Sequence, residues 1–314
     1  MEVVTKGTKN RNSRISKMAT ESEEPTKNIN ISKFTKMQNI TTNARTQIPT
    51  SAKNINTNEF FIETPLNTED DKKTNFKYQR ALLDLEVINS WILPKGLLLH
   101  INYQGLENSL RKIKDGITYF GFLKDYNQDD NNSEIDYIIN PKGEEYDDRY
   151  VGRHFKIEYY SNNNKYYIKD LGSGFGTFIK IIDELIIKDN YLVNIGETYL
   201  VFTIDENEKI NIKIFSGNEK YEPFISNNDI NKQIYIGRDV DCDISIEDKR
   251  LSRIHCTLKY NKDNKYWFLK DGGDVGNSTN GTWLYATEEY EIYDGMVFKT
   301  NHNLFKCKIQ YEKL

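Results

Sequence analysis

Few residues in this 314-residue chain could do covalent chemistry, and none is arranged for it. The run Gly172-Ser173-Gly174-Phe175-Gly176 superficially matches a glycine-rich phosphate loop. Phosphoryl transfer also needs a strand lysine in a V-A-I-K context, an H-R-D base and a D-F-G metal ligand, and the sequence has none of them. Cys242, Cys256 and Cys307, with His255 beside Cys256, lack the ligand spacing of a zinc site, and no Ser-His-Asp or paired-carboxylate arrangement stands out. The sequence predicts no enzyme, no metal and no cofactor. It does contain an ordered series: Gly237-Arg238, Asp243-Ile244-Ser245-Ile246, Leu251-Ser252-Arg253-Ile254-His255, Asp271, Ser278-Thr279-Asn280-Gly281-Thr282 and Asp294-Gly295. Arg238 and Arg253 supply positive charge within it.

The elements that must carry this series read as strands. After residue 94 come short runs rich in Ile, Tyr, Phe and Val, broken by Asn, Asp and Gly, which is the pattern of an all-β sandwich. These runs are 97–101, 117–122, 155–160, 166–170, 210–215, 234–236, 255–260 and 266–271. They also repeat. Tyr166 to Asp170 followed by Ser173 to Phe178 is echoed by Tyr266 to Asp271 followed by Ser278 to Trp283, a period of roughly one hundred residues that marks a domain duplication. Upstream, Ala81, Leu82, Leu85, Val87 and Ile88 are compatible with one amphipathic helix over 76–93, ended by Pro94-Lys95-Gly96.

The first 57 residues carry ten Lys/Arg against four Asp/Glu, one aromatic and no apolar repeat, so they read as a disordered basic tail that cannot bury enough surface to offset chain entropy. The whole chain is at −4, and its basic tail lacks aromatic interleaving, which argues against nucleic acid as the partner. There is no secretory h-region and no stretch of eighteen uncharged apolar residues, so membrane insertion is not expected. Three cysteines, an odd number without C-x-x-C spacing, fit a reducing compartment, and the expected location is intracellular, cytoplasmic or nuclear.

The ordered series at Gly237 to Gly295 resembles the forkhead-associated (FHA) domain, a β-sandwich whose loops at one end bind phosphothreonine peptides. The resemblance is strong over about 207–314 and weaker over about 95–206. It implies two tandem sandwiches, at 94–206 and 207–314, behind a disordered tail (1–75) and a linker helix (76–93). It also implies a phosphopeptide site made of Arg238, Ser252, Arg253, Thr279 and Asn280. A phosphothreonine brings nearly two negative charges and three acceptor oxygens, so such a site needs charge-assisted donors in fixed geometry. By the resemblance, Ser252 and Thr279 add hydroxyl donors, Asn280 grips the ligand backbone, and His255 ties the loops together from within. Gly237 and Gly281 serve backbone conformation. The family reads the third residue after the phosphothreonine through the loop before Ser252, which here holds Arg250, so an acidic residue is expected at that position.

The first copy departs from the pattern. Aligned on its retained elements, it has Phe122 for arginine, Val151 for serine and Phe175 for asparagine, while Arg153, His154, Asp170, Ser173, Gly176 and Thr177 remain. It is expected not to bind phosphothreonine. Its apolar replacements either form an exposed protein-binding patch or fold into the domain's own core. Two acidic-flanked threonines, Thr20 and Thr68, carry Glu or Asp three residues on and are candidate phosphosites for a Ser/Thr kinase, hence for phosphorylation-dependent autoinhibition or self-association. The expected function is a phosphothreonine-dependent adaptor acting through the second FHA domain. The alternative is a cytoskeletal or chromatin-associated scaffold that uses both sandwiches without phosphorylation.

Overall fold

The computed structural model describes residues 80–123, 133–139, 150–217, 219–226 and 232–312. The basic tail, Thr20 and Thr68 lie outside them. Within them the chain is all β. The first strands are β1 (Ala81–Asn89), β2 (Leu98–Asn102), β3 (Gly105–Leu106), β4 (Ile117–Phe122), β5 (Tyr137–Ile138), β6 (Gly152–Tyr160), β7 (Lys165–Asp170) and β8 (Thr177–Lys180). A middle group follows: β9 (Leu185–Ile187), β10 (Leu192–Ile195), β11 (Thr198–Ile204), β12 (Ile210–Ser216), β13 (Glu219–Lys220) and β14 (Phe224–Ser226). Then come β15 (Gln233–Gly237), β16 (Ile244–Ser245), β17 (Cys256–Asn261), β18 (Tyr266–Asp271) and β19 (Thr282–Tyr285). The last are β20 (Tyr290–Glu291), β21 (Val297–Thr300) and β22 (Asn303–Tyr311).

The helix expected over 76–93 is not formed in its described part, because residues 81–89 are strand β1. Ala81, Leu83, Leu85 and Val87 point inward at period two, and β1 is hydrogen-bonded on both sides, to β22 and to β2. The same apolar residues satisfy helical spacing in isolation, and tertiary pairing decides between the two readings. Pro94 and Gly96 shape the turn of the β1–β2 hairpin, where the Gly96 N–H donates to Val87 O at 2.7 Å.

Three sheets form two sandwiches. Two are five-stranded, in the orders β20-β7-β6-β4-β5 and β16-β15-β17-β18-β9. The third has twelve strands and runs β13-β12-β11-β10-β19-β8-β21-β22-β1-β2-β3, with β14 beside β12. It backs both smaller sheets. One core joins Leu83, Leu85 and Phe305 of the large sheet to Phe120, Ile157 and Tyr166 of the first small sheet. The other joins Val193, Leu200, Phe202 and Ile212 to Ile236, Leu258 and Trp267 of the second.

The chain reaches these positions by crossing over twice. After β8 it does not return to the first sandwich. It supplies β9 to the edge of the second small sheet, where Trp267 pairs with Ile187, and then inserts the β10–β11 hairpin between β12 and β19. After β19 it crosses back: Tyr290 pairs with Ile168, and β21 and β22 complete the sheet between β8 and β1. The second sandwich is thus one continuous stretch from β9 to β19, and the first is built from β1–β8 together with β20–β22. The point near residue 206 that separates the two sequence repeats falls inside the β11–β12 hairpin, where Ile204 pairs with Ile210. Exchange of equivalent elements between like domains leaves each core filled while binding the domains together. The crossing itself is sealed by β8 against β19, with Leu284 opposite Ile179, and by the Tyr285 hydroxyl, which donates to Asp170 Oδ1 at 2.7 Å.

Candidate functional site

At one end of the second sandwich, the loops after β15, before β17 and before β19 converge. Their meeting depends on close backbone approach. A Cβ on Gly237 would lie 2.0 Å from the Arg253 carbonyl oxygen, so only glycine lets β15 run against that loop. Past it, the backbone N–H of Arg238 donates to Ser252 O at 3.1 Å and that of Asp239 to Arg253 O at 3.1 Å.

His255 holds the loops from within. Its ring is fully buried, Nδ1 accepts from the Ser252 N–H at 3.1 Å, and Nε2 lies 3.1 Å from the Gly281 carbonyl oxygen. That pattern requires the proton on Nε2, the neutral tautomer, in keeping with a pKa that burial lowers. Asp271 organises the third loop: its Oδ1 accepts from the Ser278 hydroxyl at 2.6 Å and the Thr282 hydroxyl at 2.7 Å, and Oδ2 from the Ser278 N–H at 3.1 Å. Gly281 follows at φ 76°, a left-handed conformation that turns the loop into β19. Trp283 was not singled out from sequence, yet its indole N–H donates to Asn280 O at 2.9 Å and fixes that residue from below.

On this frame the five predicted contact residues come together at the surface. Ser252 Oγ accepts from the Thr279 N–H at 3.0 Å and lies 3.3 Å from Thr279 Oγ1, so the two hydroxyls are adjacent. Asn280 Nδ2 donates to Arg250 O at 2.7 Å, linking the loop before β19 to the loop before β17. Arg238 and Arg253 are exposed, and neither guanidinium has a hydrogen bond or ion pair among the described residues. Arg250 is different, since its Nε pairs with Glu197 Oε1 at 3.1 Å. Glu197 and Gly196 were invisible to sequence reasoning, because they lie in the β10–β11 turn, about fifty residues upstream of the loop they touch.

The first sandwich has the same frame and a different lining. A Cβ on Gly121 would lie 2.0 Å from Gly152 O, the counterpart of Gly237 against Arg253, so Gly152 stands where the second copy has an arginine. Phe122 takes the place of Arg238 and is 1% exposed. Its ring lies 4.5 Å from that of His154 and 6.2 Å from that of Phe175, which in turn stacks on Tyr150 at 4.3 Å. Phe122 belongs to the first core and Phe175 packs against it, while Val151 is half-buried. Of the two fates open to these apolar residues, Phe122 and Phe175 take the second, packing into the domain's own core. Arg153 is engaged, with Nε donating to Glu134 O at 2.8 Å and its guanidinium 4.0 Å over the Tyr119 ring. His154 keeps its buried place and bonds Tyr150 O at 2.6 Å.

The paired β-sandwiches end in polar loops shaped by close glycine approach. The FHA domain family matches the chain twice, over residues 130–196 and 234–299, and the chain is a tandem FHA-domain protein. FHA domains are in general phosphopeptide-binding protein-interaction modules, without catalytic activity of their own. No curated protein matches the sequence. Among the described residues no His, Cys, Asp and Glu side chains cluster as metal ligands, and no helix is long and apolar enough to cross a membrane.

Proposed function

We propose that the chain is an adaptor whose second FHA sandwich docks phosphothreonine on a kinase-modified partner, while the first sandwich binds none. The observation that carries this reading is the exposed Arg238, whose guanidinium has no partner among the described residues and whose backbone bonds Ser252, the residue whose hydroxyl adjoins that of Thr279, at the position where the first copy buries Phe122. A dianionic phosphate meets charged and hydroxyl donors there, Arg253 adds a second cation, and the Asn280 amide stands at the rim for the ligand backbone. Enclosing the threonine methyl group is worth about 0.8 kcal/mol, so phosphothreonine is preferred over phosphoserine by about fourfold.

Titrating an oriented phosphothreonine peptide library into the full chain tests the reading. Losing a desolvated charged partner costs about 2–5 kcal/mol, so Arg238→Ala is expected to weaken binding on the order of thirtyfold or more. Unchanged affinity in that variant, or equal binding of unphosphorylated peptides, would favour the phosphorylation-independent scaffold instead.

A further inference from the structure

We propose that Glu197 sets the charge selectivity of the second site, by occupying the guanidinium that reads an acidic side chain downstream of the phosphothreonine. The inference rests on the function proposed above and adds to it a residue outside the recognition loops. Glu197 lies in the β10–β11 turn, which reaches the second sandwich because the chain crosses over after β8.

The turn is seated firmly on the loop that carries Arg250. Gly196 has φ 55°, and a Cβ there would lie 2.7 Å from Asp248 Oδ2 and 3.1 Å from both Arg250 Cβ and Leu251 Cδ2. Asp248 is 6% exposed and bonds both partners. Its Oδ2 accepts from the Glu197 N–H at 2.7 Å and the Thr198 hydroxyl at 3.0 Å, and its Oδ1 from the Arg250 N–H at 2.8 Å. One buried carboxylate thereby fixes the spacing between Glu197 and Arg250, whose side chains then pair in the open, 43% and 59% exposed.

Arg250 is also tied to the ligand site, because its carbonyl accepts from Asn280 Nδ2. A second cation stands beside Gly281. The stem of Lys180, on β8, comes within 3.1 Å of where a Gly281 Cβ would be, and its ammonium has no partner among the described residues. An acidic ligand side chain entering beside Asn280 therefore meets Arg250 and Lys180, and must compete with Glu197 for the first of them. Glu197 is a tethered rival of the ligand, which narrows the preference that Arg250 alone would give.

An exposed ion pair of this kind is weak, so removing the rival is expected to shift affinity about two- to fivefold. The test uses the full chain and two phosphothreonine peptides that differ only in Asp or Asn at the third residue after the phosphothreonine. Glu197→Gln is expected to tighten the Asp peptide by that factor relative to the Asn peptide, with the gain shrinking as salt is raised. In an Arg250→Gln background the same change is expected to have no effect. An Asp-to-Asn ratio unmoved by Glu197→Gln, or moved equally without Arg250, overturns the proposal. So does an equal weakening of both peptides, which would make Glu197 a structural residue. If the parent chain binds neither peptide, the phosphothreonine reading itself fails and this one falls with it.

Discussion

The two loop ends of this molecule share a frame and differ in what lines it. Gly121 and Gly237 admit the same close backbone approach, and His154 and His255 are both fully buried between loops. Around these constants, Arg238 is replaced by Phe122, Ser252 by Val151, Arg253 by Gly152, Thr279 by Gly174 and Asn280 by Phe175. The difference separates two kinds of residue that motif reading lumps together. Those present at both ends maintain the loops. Arg238, Ser252, Arg253, Thr279 and Asn280 occur at the second end alone. At the first end the corresponding space is filled by packed rings, Phe122 edge-on to Phe175 and Phe175 stacked on Tyr150.

The largest expected effect comes from cutting the chain. A fragment spanning 180–287 contains all strands of the second sandwich, from β9 to β19, together with Lys180 and the core residue Ile181, and is expected to fold cooperatively and bind phosphopeptide as the full chain does. A fragment spanning 207–314 follows the sequence repeat but lacks Val193, Leu200 and Phe202, all fully buried in the second core. Losing even one such side chain costs about 2–5 kcal/mol, so this fragment is expected to be far less stable, read from thermal unfolding of the two. Greater stability of 207–314 would mean that the strands are not exchanged in solution.

Next come substitutions at the two equivalent places. Phe122→Ala is expected to cost about 3–5 kcal/mol of stability, as for other large-to-small changes in a packed core, and to leave phosphopeptide affinity alone. Arg238→Ala is expected to do the reverse, changing stability by no more than about 0.5 kcal/mol, as exposed residues do, while removing binding. Denaturant unfolding read beside peptide titration distinguishes them, and equal destabilisation by both would erase the contrast.

The smallest effect is on pH. Burial lowers the pKa of His154, so the folded state binds fewer protons than the unfolded chain just below the ordinary histidine value. Stability from this residue is complete above about pH 6.5 and is lost as pH falls toward the lowered folded value. His154→Gln is therefore expected to flatten the dependence of the thermal midpoint on pH between about 6.5 and 5. Asp170, which burial pushes up to about 6, titrates in both proteins and cancels from the comparison. An unchanged slope would show that His154 is not held neutral.

Much of this was legible in the sequence because it is local. The period-two runs became strands where they were expected, and the residues of the ordered series from Gly237 to Thr282 lie on loops that converge at one end. The region around β1 misled, because Ala81, Leu82, Leu85 and Ile88 suit a helix as well as Ala81, Leu83, Leu85 and Val87 suit a strand, and only pairing with β22 and β2 decides. The crossing of strands was illegible for a different reason. The short links at 181–184 and 286–289 carry no residue that specifies which of two similar cores the next strand enters. The same long-range placement hid Glu197, which nothing in its own neighbourhood connects to Arg250.

The most direct test of the account is the stoichiometry of phosphothreonine peptide binding to the full chain, measured by titration calorimetry with and without Arg238→Ala. One peptide per chain, lost in the variant, is the predicted result. Two peptides per chain, or one that persists without Arg238, would contradict the assignment of an open second site and a filled first one.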